Sequence, residues 1–84
     1  MVQKRRVKGA DMLTMVVMKM SGTKLQRLRE QRFWSRAELA EKADIHADHI
    51  GRIERGETTR PRMATIRKLA AALEVDPSEL VEEE

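Results

Sequence analysis

The chain contains no cysteine. Disulfides and thiolate-held metals are thereby excluded, and a reducing compartment, the cytoplasm, is the natural setting. Tyrosine is absent too, and Phe33 and Trp34 are the only aromatic residues. Any core must therefore be aliphatic, built from Leu, Ile, Val, Ala and Met. No apolar run approaches the roughly 20 residues that a membrane-spanning helix needs. The longest, MLTMVVMKM at residues 12–20, is broken by Thr14 and Lys19. Basic residues stand ahead of that run, as in a secretion signal, but it is short and no small-residue cleavage site follows. No nucleophile–base pair, phosphate-binding loop or metal triad is visible, so an enzyme is not expected, and neither is a cofactor.

What is present is charge, unevenly spread. The 84 residues bound the chain to one small domain, which without disulfides must stabilise itself by packing or by oligomerising. The net charge of +3 hides an asymmetry. Lys4, Arg5, Arg6, Lys8 and Lys19 against Asp11 leave residues 1–22 at +4. Glu79, Glu82, Glu83 and Glu84 put residues 77–84 at −4, and the stretch between carries 12 bases and 9 acids. A basic front of this kind suits a polyanionic partner.

Residues 1–11 show no periodicity and read as a basic arm. Residues 12–20, rich in Met and Val, read as a short strand or extended segment that Ser21 and Gly22 end. Helical signals then run almost without break. A first helix is expected over 24–32, with Thr23 as its cap and Leu25 and Leu28 facing inward. The second begins at Ser35, where SRAE places Glu38 three residues after the serine, a capping box; Leu39, Ala40 and Ala43 share one face. A turn at Asp44–Ile45 leads to a third helix over 47–55, with Ile50 and Ile53 inward and Gly56 as the stop. A fourth covers 62–73, with Met63, Ile66, Leu69, Ala70 and Leu73 as its apolar stripe. Asp76-Pro77 opens a short fifth helix, and Leu80 closes the core. Helices two and three, separated by so few residues, form a helix-turn-helix unit.

Taken together, LREQRFWSRAELAEKADIHADHIGRIERGETTRP and TIRKLAAALEVDPSEL resemble the lambda-repressor-like, Cro-type (Xre) helix-turn-helix family. The order and spacing of LAEKA, Ile50–Gly56 and LAAALEV carry the resemblance. It implies an all-α, compact five-helix DNA-binding domain over residues 23–84. Ahead of it, residues 1–22 are read as an extension with a short β-strand; the unpaired edge of residues 12–20 suits pairing between two chains as a dimerisation strand, and the fifth helix with its acidic tail is the alternative dimer surface. The chain departs from the family at Phe33, Asp44 and Glu74, where glycine is usual, and at His46, where Ser or Thr usually caps helix three.

The resemblance makes DIHADHIGRIERG, residues 44–56, the recognition segment, with helix three entering the major groove. Ala47, Asp48, Gly51 and Arg52 are expected to face outward. Of these, Arg52 forks onto guanine, Ala47 meets a thymine methyl, and Asp48 accepts from cytosine or complements the helix dipole. Gly51 permits close approach of DNA or of another helix. Phosphate contacts fall to Arg36 and His46, and to the edge formed by Arg55, Thr58, Thr59 and Arg60. Arg29 and Glu54 are expected to make an ion pair that holds the recognition helix to the scaffold. His46 and His49 lie one turn apart, but no third ligand has a fitting spacing, so no metal is expected. The function this implies is a sequence-specific DNA-binding transcriptional regulator. It acts as a repressor, a homodimer on a two-fold operator, in the cytoplasm at the nucleoid. The alternative is an antitoxin that adds a toxin-binding surface to the same module. A protein-interaction module that no longer binds DNA stays open as well. Membrane association is not expected.

Overall fold

In a computed structural model the chain is described over residues 18–83, with the side chains of 18 and 83 left aside. The order is strand β1 (Met18–Met20), helices α1 (Gly22–Gln31), α2 (Arg36–Ala43), α3 (Ala47–Glu54) and α4 (Met63–Leu73), a 3-10 turn at Pro77–Leu80, and strand β2 (Val81–Glu83).

Local chemistry explains where the helices start. The Ser21 hydroxyl accepts from the Lys24 N–H at 3.1 Å, so Ser21, not the expected Thr23, caps α1, and α1 opens at Gly22. The domain boundary drawn between residues 22 and 23 thus falls inside α1. At α2 the capping box forms: Ser35 N–H donates to Glu38 Oε1 at 2.7 Å and Glu38 N–H to Ser35 Oγ at 3.0 Å. His46 precedes α3 without any side-chain cap.

The helices stop by one shared device. After each, a residue in the left-handed region turns the chain: Phe33, Asp44 and Glu74 at φ 59° and Gly56 at φ 80°. The next N–H then reaches back across the last turn, Trp34 to Arg29, Ile45 to Ala40, Glu57 to Arg52 and Val75 to Ala70. These are Schellman closures. Three of the residues that follow, Trp34, Ile45 and Val75, pack against the core, the apolar contact that accompanies the motif.

The core is aliphatic, as the composition requires. Leu25, Leu39, Ile50, Ile53, Leu69, Leu73 and Leu80 are fully buried. Met63, expected on the apolar stripe of α4, is exposed at the first residue of that helix. Four α-helices are present among the described residues, not five. The Asp76 carboxylate accepts from the Ser78 N–H at 2.9 Å and Glu79 N–H reaches the Asp76 carbonyl, but the turn stays 3-10 over four residues and runs straight into a strand.

That strand also pairs with the short β-strand expected ahead of the helices, so a two-stranded sheet joins the otherwise helical domain. β1 and β2 pair antiparallel, with Met18 opposite Glu83, Lys19 opposite Glu82 and Met20 opposite Val81. The acidic C-terminal tail supplies the partner. Met20 is buried in the core, and its N–H donates to the Thr59 carbonyl at 2.8 Å. Lys24 Nζ donates to the Val81 carbonyl at 3.0 Å. Over 18–20, then, β1 pairs with β2 of its own chain. Residues 12–17 and the basic arm lie outside the described residues.

Candidate nucleic-acid interface

The helix-turn-helix is α2 and α3, joined by Asp44, Ile45 and His46. Ile50 and Ile53 fix α3 to the core with no exposure. On its other side Ala47, Asp48 and Arg52 are all exposed, so the three candidate base readers lie on one open face. Gly51 corrects the expectation. It is buried, and what fills the space above it is a pair of arginine side chains, one from α2 and one from the end of α3. A Cβ built there would lie 2.9 Å from Arg55 Nη1 and 3.9 Å from Arg36 Nη1.

The candidate phosphate contacts flank that face. Arg36, His46, Arg55 and Arg60 are exposed, and Thr58 and Thr59 half-buried. Several already have partners. The Thr58 N–H donates to the Arg52 carbonyl at 3.1 Å, closing α3, and the Thr59 carbonyl accepts from β1. Arg55 Nε donates to Glu57 Oε2 at 2.9 Å. That bond holds the Glu57 carboxyl below its usual range and raises the Arg55 guanidinium.

Glu54, at the end of α3, has no exposed side-chain surface. Arg29 reaches it with two parallel hydrogen bonds, Nε to Oε2 at 2.7 Å and Nη2 to Oε1 at 3.0 Å. Arg29 also donates from Nη1 to the Trp34 carbonyl at 2.7 Å. The bond to Glu54, ahead of an opposing effect of burial, raises the Arg29 pKa above its ordinary value. Arg36 joins the same carboxylate, Nε to Oε1 at 2.9 Å. The sequence marked Arg36 for DNA alone; its tie to Glu54 crosses from α2 to the far end of α3 and leaves no local signature. Arg32 was also missed. It donates to the carbonyls of Leu28 and Leu73, both at 2.7 Å, joining the ends of α1 and α4. A cation at a helix C-terminus is the one signal that points to it.

Among the described residues no three His, Asp or Glu side chains come together to hold a metal. No described helix is long and apolar enough to cross a membrane.

Comparison with known proteins places this geometry. A helix-turn-helix domain family model matches residues 22–82. The transcriptional regulator SutR of Escherichia coli is 43% identical over 53 residues, 63% of this chain and 29% of that protein. The transcriptional regulator SinR of Bacillus subtilis is 33% identical over 64 residues, 76% of this chain and 58% of that protein. The chain thus spans less than two thirds of these relatives. SinR in complex with DNA superposes with a TM-score of 0.66 at 32% identity, covering 68% of this chain and 90% of that one. The restriction-modification controller protein C.AhdI of Aeromonas hydrophila gives 0.66 at 30% identity, covering 83% and 96%. With α2 and α3 arranged as described and the match running through almost all the described residues, the chain belongs to the helix-turn-helix domain family, of the lambda-repressor-like (Xre) type.

Proposed function

We propose that the chain is a sequence-specific DNA-binding transcriptional regulator, a repressor that binds a two-fold operator as a homodimer with α3 in the major groove. The observation that carries the reading is the division of α3. Ile50 and Ile53 are buried while Ala47, Asp48 and Arg52 stand exposed, flanked by the exposed arginines Arg36, Arg55 and Arg60. Buried isoleucines give the helix a fixed orientation, and readout of base edges requires a rigidly held helix. SinR, solved with DNA, supports the nucleic-acid partner. In this reading Arg52 reads guanine, Ala47 and Asp48 tune neighbouring positions, and Arg36, His46, Arg55, Thr58, Thr59 and Arg60 hold phosphates. Half-sites lie about 34 Å apart, and the protein works in the cytoplasm at the nucleoid. SinR is also solved with the SinI protein, which supports a partner-protein surface such as an antitoxin needs; a small protein that co-purifies stoichiometrically with the chain decides for that addition.

Selection of bound duplexes from a random library at two salt concentrations tests the reading. Arg52→Ala is expected to relax preference at one base position by about 1–3 kcal/mol, whereas Arg36→Ala weakens all sequences alike. The reverse pattern overturns the assignment of roles. Enrichment of no sequence over random duplex overturns the function.

A further inference from the structure

Gly51 stands in the middle of α3, where glycine is the poorest helix former after proline. Its neighbourhood shows what the missing side chain makes room for. Arg36 comes from the first turn of α2, Arg55 from the residue that closes α3. Each guanidinium is tethered by a carboxylate through its Nε: Arg36 by Glu54 at 2.9 Å, and Arg55 by Glu57 at 2.9 Å, with a longer second bond from Arg55 Nη2 at 3.4 Å. Neither carboxylate takes an Nη1 atom. Both Nη1 atoms lie within 4 Å of the one point where a Cβ of Gly51 would be. The side chains are 43% and 50% exposed, so each guanidinium can be reached from solvent although Gly51 beneath them is buried.

Two like charges repel unless something between them compensates. Here each arm is held at its Nε by an acid, while the two Nη1 atoms, which neither acid takes, lie side by side over Gly51. We infer that Arg36 and Arg55 form a single two-armed clamp for one phosphodiester group of the duplex backbone, with Gly51 as the seat that lets the arms close. The inference rests on the DNA-binding reading and deepens it: the two arginines share one phosphate where that reading counts two separate contacts. Guanidinium forks suit a tetrahedral oxyanion approached from two sides. Glu54 and Glu57 act as positioning residues, since they hold the Nε of each arginine and leave its Nη1 for the phosphate.

Salt dependence counts phosphates. For B-DNA the slope of log affinity against log salt is roughly 0.9 per neutralised phosphate. With the full chain and a selected duplex, the Arg36→Ala/Arg55→Ala double variant is expected to lose about 0.9 of slope, one phosphate's worth. Its loss of affinity falls short of the product of the two single losses. A slope loss of about 1.8 with multiplying affinity losses means separate phosphates and overturns the clamp; an unchanged slope overturns it too. Thermal melting of each variant confirms that the fold persists, since Glu54 keeps Arg29. Gly51→Ala tests the seat independently. It changes no charge and favours the helix, yet its Cβ displaces Arg55, so binding to every sequence weakens several-fold at undiminished melting temperature. Native affinity in that variant overturns the seat. If the native chain binds no duplex, the functional reading falls and the clamp with it; if it binds but the variants behave as separate or silent contacts, only the clamp falls.

Discussion

Phe33, Asp44 and Glu74 all adopt φ 59°, a conformation that costs an ordinary L-residue roughly 1–2 kcal/mol. Asp is the mildest case, because a short polar side chain tolerates the left-handed region. Phe33 and Glu74 have no such relief, and Phe33 is 93% exposed, so it recovers nothing by burial. Glycine relieves the strain but loses more entropy on folding, about 0.4–1 kcal/mol. Phe33→Gly and Glu74→Gly are therefore each expected to stabilise by about 0.5–1 kcal/mol, read as a rise of a few degrees in the thermal midpoint. A fall in both would mean that these side chains make contacts that outweigh their backbone strain. All three positions were legible in the sequence, since the helix periodicity stops there and the family resemblance expects glycine. Their shared role as Schellman turns was not legible, because it lies in backbone hydrogen bonds that no side chain announces.

At the scale of elements, the capping box at Ser35 and Glu38 and the stop at Gly56 were readable because they act within four residues. Gly22 shows the opposite. It looks like a breaker after a strand, yet it opens α1 and lies against the end of α3. A Cβ there would collide with the Ile53 carbonyl oxygen and come 2.8 Å from that of Glu54. Both obstacles are backbone and cannot swing aside. Gly22→Ala is expected to destabilise by about 1–3 kcal/mol despite alanine's better helix propensity, measured by urea denaturation. An unchanged midpoint would mean that α1 slides along α3 without cost. The fifth helix failed to form for a reason at this same scale. Asp76-Pro77 starts a helix well, but Leu80 and Val81 are drawn into the core and the strand pair after one turn.

For the whole molecule, Glu54 is the node. Its carboxylate, without exposed surface, accepts from Arg29 of α1 and Arg36 of α2 while sitting at the end of α3. Glu54→Ala leaves Arg29, 11% exposed, with the Trp34 carbonyl as its remaining hydrogen-bond acceptor within the core. Breaking a buried pair in this way costs about 3–5 kcal/mol, a large share of a small domain's stability. Chemical denaturation is expected to show a loss in that range, and a loss under about 1 kcal/mol, the scale of an exposed pair, would mean that solvent screens the pair. The strand pair is the second device at this scale. By closing residues 18–20 on 81–83, it brings both ends of the described fold to the loop after α3.

The sequence by itself determined four helix positions, three of the caps and stops, the aliphatic core and the side of α3 that turns outward. Each of these follows from residue spacing within one helix or one turn. Tertiary structure alone decided that Ser21 and Gly22 start α1 against α3, that the acidic tail becomes a strand, and that Arg36 serves Glu54. It also decided that two guanidiniums occupy the space over Gly51. These features join atoms far apart in the chain, as Lys24 and Val81 are joined. Periodicity reports which face of an element is apolar; which partner meets that face is set only when the packed elements bring distant donors and acceptors within hydrogen-bonding reach.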